Sequence, residues 1–286
     1  MAAGATNRHH GMVGVFRLGY VSVYSRNNVH IVGAEGAPVL LLAHGFGCDQ
    51  NLWRPVVDRL KSDFRLVLLD HVGCGQSDPS AWDAQKYSSL GGYASDIAEI
   101  LEELDLRDVV LVGHSVAAMI GALVVIGDPS RIAKLAMLTP SPRYINDGDY
   151  YGGFDQADID ELLDSMELNY LGWSHAMAPV IMGNPDRPEL GDELEASFCR
   201  TDPACARVFA RATFLSDNRH DLARIPVPTL VIECSQDAIA PRSVGAYVHQ
   251  HIPDSQLLTL EATGHCPQVS DPDATAEAIS AFVRSA

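Results

Sequence analysis

The chain has 286 residues, of which 47% are hydrophobic and 20% are charged, and this composition is typical of a globular protein with a sizeable core. Its formal net charge is −17. A field of that sign repels phosphate backbones and anionic membranes, so neither nucleic acid nor a membrane is expected as a partner.

Cysteine usage and the first residues favour a cytoplasmic protein. None of the six cysteines forms a C-x-x-C pair, so a thiol redox motif or a zinc knuckle is not indicated and no metal is expected. Residues Met1 to Arg8 lack the apolar segment of a secretory signal. Reduced thiols in a cytoplasm are therefore the simplest interpretation. No apolar run reaches the roughly 18 residues of a membrane span.

In chain order, residues 1–20 are expected to form a flexible N-terminal extension. Two short β-like runs follow, Tyr20–Tyr24 and Val29–Val32, with a turn signal at Asn27-Asn28 between them. Short continuous apolar runs then recur, as expected for strands buried on both faces of a parallel sheet. These runs are Val39–Ala43, Leu66–Leu69, Val109–Val112, Leu135–Leu138, Thr229–Ile232 and Leu257–Leu260.

Amphipathic segments separate these runs. One of them, Tyr93–Leu104, carries apolar side chains at Ile97, Ile100, Leu101 and Leu104, which is a helical spacing. Such alternation of strands and helices predicts an α/β fold with a doubly wound, mostly parallel sheet and right-handed crossovers.

The alternation stops between Pro140 and Asp217, where proline and glycine punctuate a segment with helical patterns and no convincing strand. The predicted helices are Asp155–Glu167, Leu171–Ile181, Pro188–Cys199 and Asp202–Phe214. An insertion this long in a sheet protein is expected to be a folded lid rather than a loop. The predicted organisation is a core of residues 21–140 and 218–286 with a helical lid at 141–217.

The sequence Gly113-His114-Ser115-Val116-Ala117 follows the buried run Val109–Val112 directly and precedes a helix-like segment. It is a G-x-S-x-G motif with alanine in the last place. In this motif the serine lies on a strained turn between strand and helix, and its neighbours two residues away must be small for the turn to close. We therefore predict that Ser115 is a nucleophile. The alternative is an ordinary strand–helix turn with a capping serine.

A serine hydroxyl needs a base to act as a nucleophile at neutral pH. His265 lies in Thr263-Gly264-His265-Cys266-Pro267, just after the strand-like run Leu257–Leu260. The chain order Ser, Asp/Glu, His of α/β-hydrolases places the base in such a loop. We therefore predict that His265 is the base, the alternative being a structural role.

The third member of such a site must hold the imidazole tautomer. Asp237 follows the strand Thr229–Ile232 and falls between Ser115 and His265 in chain order. Glu233 is the rival, but it continues the strand directly, where the pleat decides its face. Asp237 is the predicted acid, and its alternative role is that of a turn aspartate.

A tetrahedral oxyanion needs backbone donors that are already in place. The sequence His44-Gly45-Phe46-Gly47 follows the strand Val39–Ala43, and its glycines allow the backbone to turn inward. The N–H groups of Phe46 and Val116 are the predicted donors, and His44 is expected to brace the loop.

Two further features have simple interpretations. Gly73-Cys74-Gly75 follows a strand, but a lone Gly-x-Gly without the full dinucleotide fingerprint indicates a tight turn. Cys266, beside the predicted base, is either a redox-sensitive thiol or, as is more common for such a cysteine, a packing residue.

With these motifs in place, the sequence from about Ser25 onward resembles the RsbQ-type bacterial stress-signalling hydrolases and, more distantly, the plant strigolactone and karrikin receptors. The resembling stretches are His44-Gly45-Phe46-Gly47-Cys48-Asp49-Gln50, Gly113-His114-Ser115-Val116, Ser141-Pro142-Arg143-Tyr144-Ile145-Asn146-Asp147, Tyr151-Gly152-Gly153-Phe154, Phe198-Cys199, Thr201-Asp202-Pro203, Tyr247-Val248-His249-Gln250-His251 and Gly264-His265-Cys266-Pro267.

The resemblance implies the α/β-hydrolase fold, a four-helix lid and a deep, mostly apolar pocket between lid and core. By its matching motifs, the resemblance also implies that the pocket wall includes Phe46, Val116, Trp173, Phe214 and Ile239. For each aromatic side chain among them, packing in the lid or the core is the alternative. The resemblance also implies signalling. The bacterial hydrolases work with a phosphatase that carries a sensory domain, and the plant proteins perceive a butenolide hormone.

Three functions follow from these observations. The leading one is a cofactor-independent serine hydrolase of a small, largely apolar ester or lactone. The second is a signalling component or butenolide-type receptor that hydrolyses its ligand slowly and activates a partner phosphatase. The third, a hydrolase fold without activity, is disfavoured by the intact set Ser115, Asp237 and His265.

Overall fold

A single mixed sheet forms the centre of the molecule. The computed structural model describes residues 22–285, and the predicted N-terminal extension at 1–20 lies outside them. The strands are β1 (His30–Val32), β2 (Val39–Ala43), β3 (Arg65–Leu68), β4 (Val109–His114), β5 (Ile132–Leu138), β6 (Thr229–Gln236) and β7 (Ser255–Thr263). Their order across the sheet is β1-β3-β2-β4-β5-β6-β7. Only β1 is antiparallel to its neighbour among these strands, so the predicted doubly wound, mostly parallel sheet is confirmed.

Helices cover both faces of this sheet. They are α1 (Val23–Arg26), α2 (Arg54–Leu60), α3 (Leu90–Glu103), α4 (Val116–Gly127), α5 (Gln156–Leu168), α6 (Tyr170–Met182), α7 (Pro188–Phe198), α8 (Pro203–Phe214), α9 (Arg242–His251), α10 (Pro267–Ser270) and α11 (Pro272–Arg284). Among the described residues, no helix has both the length and the apolar character needed to cross a bilayer.

Successive side chains of a strand point to opposite faces, and two separate cores result. In β2, Leu41 and Ala43 pack in a cluster with apolar side chains of α3 and α4. Leu40 and Leu42 pack in a second cluster with side chains of α2 and α11. Because both faces are covered, the strand sequences are continuously apolar rather than alternating.

The first predicted strand is wrong where the structure describes it. Tyr20 and Val21 lie outside the described residues, and Val23–Arg26 form the short helix α1. The Ser22 hydroxyl caps this helix by accepting a hydrogen bond from the Tyr24 N–H at 3.3 Å and donates one to Glu103 on α3 at 2.9 Å. These capping and tertiary contacts outweigh the weak alternation of the sequence.

Four helices, α5 to α8, lie between β5 and β6, and we call them the four-helix insertion. They correspond to the four helices predicted for this segment, with ends that differ by a few residues. Asp155 and Asp158 form a capping box at the start of α5, and Gly183 ends α6 in the left-handed conformation. The insertion stands over the carboxyl edge of the sheet, where the predicted site residues follow β2, β4, β6 and β7.

Candidate active site

Ser115 occupies a strained turn between β4 and α4. Its φ of 56° and ψ of −124° lie outside the conformations usual for a side-chain-bearing residue. The turn is tight, since a Cβ atom at Gly113 would lie 2.3 Å from the carbonyl oxygen of Ala117. The Ser115 N–H donates to the Leu138 carbonyl at 2.8 Å. This strained conformation holds the hydroxyl at the edge of the sheet. Strained residues of this kind are common at functional sites.

Ser115, His265 and Asp237 form a continuous hydrogen-bonded line. His265 Nε2 lies 2.8 Å from Ser115 Oγ, and His265 Nδ1 lies 2.8 Å from Asp237 Oδ2. The other carboxylate oxygen, Asp237 Oδ1, accepts the N–H groups of Ile239 at 2.8 Å and Ala240 at 3.0 Å. These bonds fix the carboxylate, which in turn fixes the imidazole with Nδ1 protonated and Nε2 facing the hydroxyl.

The electrostatics of His265 follow from this arrangement. Burial on its own lowers the pKa of the imidazole, but the charge and the hydrogen bond of Asp237 outweigh burial and raise the pKa above its ordinary value. The Asp237 side chain is fully shielded from solvent, so its charge acts on the imidazole with little screening.

Glu233 points elsewhere. Its carboxylate accepts hydrogen bonds from Thr259 Oγ1 at 2.8 Å and Arg242 Nε at 3.2 Å. It packs so closely on α9 that a Cβ atom at Gly245 would lie 2.2 Å from Glu233 Oε2. The strand register therefore directs this side chain away from the base, and Asp237 is the carboxylate that contacts His265.

The loop after β2 presents a free backbone donor. Cys48 N–H donates to the Gly45 carbonyl at 3.2 Å, which closes a turn that contains Phe46. Val116 is the first residue of α4, where N–H groups have no partner within the helix. Neither N–H donates to a protein atom among residues 22–285, so both remain available to an anionic oxygen.

His44 braces this loop, as predicted. Its Nε2 accepts the His71 N–H at 3.0 Å, and its Nδ1 lies 2.8 Å from the Gly45 carbonyl. Burial lowers the pKa of His44, so the ring stays neutral and can both donate and accept.

The carbonyl of His265 is held by two groups that sequence reasoning did not find. His114 Nε2 lies 2.9 Å from it and Thr139 Oγ1 donates to it at 3.1 Å. His114 was visible only as the variable position of the serine motif. Its partner lies 151 residues away, so no local pattern could have revealed the contact.

A pocket lies between the sheet edge and the four-helix insertion, and Ser115 and His265 open into it. The lining is otherwise mainly aromatic and aliphatic. It consists of Phe46, Cys48, His114, Ser115, Tyr144, Phe154, Leu162, Trp173, Met177, Ile181, Leu194, Phe198, Thr213, Phe214, Ile239, His265 and Cys266. The cavity has a volume of about 50 Å³, which is room for roughly three to five water molecules.

Four of the five side chains predicted for the pocket wall line this cavity: Phe46, Trp173, Phe214 and Ile239. Val116 is not among the described lining residues. Its side chain packs in the core on the α3 and α4 side of the sheet, because the first turn of α4 directs it beneath the pocket and leaves only its N–H at the site.

Tyr144 is a pocket residue to which sequence reasoning assigned no role. Its hydroxyl lies 3.4 Å from Ser115 Oγ, and its ring packs edge-on against Phe214 at 5.1 Å. Burial raises the pKa of Tyr144 to about 12, so the hydroxyl stays protonated at neutral pH. The only sequence signal was its place in a resembling stretch.

The remaining features are structural. Gly73 and Gly75 both have positive φ in a turn after β3, which fits the tight turn predicted there. Cys266 is buried in the cluster beneath the insertion, beside Cys48, whose hydrogen bond lowers the pKa of Cys266. Among the described residues, no three His, Cys, Asp or Glu side chains are grouped as metal ligands would be.

The chain is similar to known hydrolases along most of its length. A sequence profile of the alpha/beta hydrolase family matches residues 40–278. Karrikin insensitive 2 receptor CA of Petunia hybrida is 38% identical over 252 residues, which cover 88% of this chain and 93% of that protein. Strigolactone esterase D14 of Arabidopsis thaliana is 37% identical over 246 residues, 86% of this chain and 91% of that protein. Among solved structures, a hydrolase from Oleispira antarctica superimposes with a TM-score of 0.90 at 42% identity, covering 92% of this chain and 97% of that one.

Proposed function

Because the chain belongs to the alpha/beta hydrolase family, we propose that it is a serine hydrolase of a small, largely apolar ester or lactone. The observation that carries the proposal is the line of two 2.8 Å contacts from Ser115 Oγ through His265 to Asp237. No cofactor takes part in this chemistry, because the nucleophile, the base and the acid are all side chains of the protein.

The geometry supports a two-step mechanism. Ser115 Oγ attacks the carbonyl carbon of the substrate while His265 Nε2 takes the hydroxyl proton. Asp237 holds the tautomer and stabilises the imidazolium, and the N–H groups of Phe46 and Val116 stabilise the oxyanion. The tetrahedral intermediate then collapses: the bond between the carbonyl carbon and the leaving oxygen breaks while His265 gives its proton to that oxygen, and the acyl group stays on Ser115 as an ester. Water, deprotonated by the same imidazole, finally hydrolyses the acyl-enzyme.

The four-helix insertion acts as a lid in this proposal. Each of its helices contributes to the pocket wall, for example Leu162 from α5, Trp173 from α6, Phe198 from α7 and Phe214 from α8. Phe46 packs edge-on against Trp173 at 6.2 Å and Phe214 at 5.7 Å, so aromatic rings close over the oxyanion loop. An apolar, narrow pocket of this kind favours a small acyl group or lactone ring and excludes water.

A second function is a slowly hydrolysing receptor in a signalling pathway. It is supported by the 38% identity to a protein named as a karrikin receptor. The resemblance to RsbQ-type hydrolases adds a sensory-domain phosphatase as the partner and a stress response as the setting. A cytoplasmic location fits the six free cysteines.

The first test is hydrolysis of short-chain p-nitrophenyl esters by the wild type and by Ser115→Ala. We expect the variant to lose activity by several orders of magnitude while its melting temperature stays within a few degrees. Equal rates in both proteins would refute the assignment of Ser115.

The second test separates enzyme from receptor. Mass spectrometry of the Ser115 adduct after incubation with butenolides identifies the acyl group, and a pull-down with and without the butenolide detects a ligand-dependent partner. Fast turnover of many esters with no ligand-dependent partner would contradict the receptor function.

A further inference from the structure

Thr213 lies in the pocket wall, and its hydroxyl has no hydrogen-bond partner among the described residues. The residue lies in the last turn of α8, it is 1% exposed, and it lines the pocket between insertion and core. Within residues 22–285, its Oγ1 makes no hydrogen bond. A threonine in a helix can bond to a carbonyl one turn earlier, but Thr213 Oγ1 does not, and a buried hydroxyl without any partner is uncommon in folded proteins.

The other hydroxyl groups of the pocket are engaged. Ser115 is bonded to His265 at 2.8 Å, and the Tyr144 hydroxyl lies 3.4 Å from Ser115. The neighbour of Thr213 in the chain, Phe214, packs against Phe46 and Tyr144 with its ring. Thr213 therefore offers an unused hydroxyl donor and acceptor on the insertion side of the pocket, whereas the other buried polar side-chain atom of the described lining without a hydrogen bond, His114 Nδ1, lies on the sheet side next to Ser115.

We propose that the Thr213 hydroxyl is a second polar contact for the ligand, which binds an oxygen atom other than that of the reacting carbonyl. The reacting carbonyl is held by Ser115 and the oxyanion loop, so Thr213 selects among substrates rather than catalysing. The class it fits is a small ester or lactone with an additional ether, carbonyl or hydroxyl oxygen. The inference rests on the proposed hydrolase function and names its substrate more narrowly.

Two ligands of the same shape differ in affinity for this pocket if only one of them pairs the Thr213 hydroxyl. A ligand made only of hydrocarbon leaves the buried hydroxyl unpaired, whereas a ligand with an oxygen at this point pairs it. Sites built around a hydrogen bond discriminate strongly against analogues that lack it. A valine at position 213 has nearly the same shape and removes the discrimination without opening a cavity.

The experiment uses substrates that differ by one atom. Pairs of p-nitrophenyl esters, methoxyacetate with butyrate and 3-methoxypropionate with pentanoate, exchange an ether oxygen for a methylene group. For each pair the ratio of kcat/KM is measured with the wild type, Thr213→Val and Thr213→Ser. The intrinsic difference in ester reactivity enters the ratio of every variant equally, so it cancels when the ratios of two variants are compared.

We expect at least one pair whose oxygen-to-methylene ratio falls about tenfold in Thr213→Val and is restored in Thr213→Ser. Thr201→Val is the control, since Thr201 is a buried threonine outside the pocket, and its ratio should equal that of the wild type. Identical ratios in the wild type and Thr213→Val for all pairs would overturn the inference.

A binding measurement tests this inference independently of the hydrolase proposal. Titration calorimetry with the methyl esters of the same acids, on Ser115→Ala and on Ser115→Ala combined with Thr213→Val, requires no turnover. A tenfold loss of preference there supports Thr213 even if Ser115 proves not to be the nucleophile. An unchanged preference refutes Thr213 even if Ser115 is essential, and the thermal melt of each variant shows that it is folded.

Discussion

The backbone N–H of His265 donates a 2.9 Å hydrogen bond to the carbonyl of Ile181 at the end of α6. The four-helix insertion is thus bonded directly to the residue that faces the nucleophile. Asn184 strengthens the joint by donating to the Thr263 carbonyl at 2.8 Å, and Arg187 donates to the Ser270 carbonyl at 2.8 Å. Gly264 permits the contact, because a Cβ atom there would lie 1.9 Å from the Met182 carbonyl oxygen.

We expect Asn184→Ala to lower kcat for p-nitrophenyl esters about tenfold, with a smaller effect on KM. Loss of the amide frees the loop that carries His265, and misplacement of a base slows proton transfer more than it weakens substrate binding. Steady-state kinetics of the wild type and the variant give the two constants.

Asn169→Ala is the matched control. Asn169 accepts the Gly172 N–H at 3.0 Å as the cap of α6 and lies at the opposite end of the same helix. Its loss destabilises the helix by about 1 kcal/mol without touching the base. If both variants lower kcat in proportion to their loss of melting temperature, Asn184 contributes only stability.

The pH dependence of the reaction tests the pairing of Asp237 with His265. The base must be neutral to accept a proton, so activity rises with pH. Because the pKa of His265 is raised by Asp237, we expect the midpoint of kcat/KM to lie above the ordinary value near 6.5. Asp237→Asn should move the midpoint downward and reduce kcat by up to about four orders of magnitude, since the tautomer is lost.

Glu233→Gln is the control for this prediction. The Glu233 carboxylate bonds to Thr259 and Arg242 rather than to His265, so its neutralisation should leave both the midpoint and kcat within about twofold of the wild type. Loss of turnover in Glu233→Gln with retention in Asp237→Asn would mean that the wrong carboxylate has been assigned.

Much of the fold could be predicted because its signals are local. Strands buried on both faces are continuously apolar, and the predicted α/β-hydrolase fold is confirmed by the sheet, by the family match at residues 40–278 and by the Oleispira antarctica structure. The region Ser22–Arg26 could not be predicted, because a single capping hydroxyl and contacts with α3 decide between helix and strand there.

In the site, too, local sequence signals could be read in advance and tertiary contacts could not. Ser115 lies in a motif of five residues that itself contains the steric requirement for small neighbours. The order of serine, acid and histidine along the chain then reduced the number of candidates for the base and the acid. The contacts of His265 with Ile181, His114 and Thr139 join residues far apart in sequence, so they depend on how the insertion and the sheet pack. Such tertiary contacts leave no periodic pattern in the sequence.

Gly113 tests the steric argument for the serine turn. We expect Gly113→Ala to lower the melting temperature by several degrees or to prevent folding, because its Cβ would lie 2.3 Å from the Ala117 carbonyl oxygen and overpacking costs about 1–3 kcal/mol. Ala117→Gly relaxes the same turn and should cost only about 0.5–1 kcal/mol, the usual effect of glycine in a helix. Equal melting temperatures in the two variants, measured by circular dichroism, would show that the turn is not crowded.

Trp173 should set the length of the acyl group. Its indole is 7% exposed and packs edge-on against Phe198 at 5.2 Å, so it closes the pocket from α6. Trp173→Phe leaves space in the wall, and we expect the ester chain length with the highest kcat/KM to increase by about two carbons, since each methylene buried contributes about 0.8 kcal/mol. Trp82 is a tryptophan outside the pocket that packs against the core on the α3 and α4 side of the sheet, and Trp82→Phe should leave the preferred length unchanged. An unchanged optimum in Trp173→Phe, across p-nitrophenyl acetate to decanoate, would mean that acyl groups do not extend towards α6.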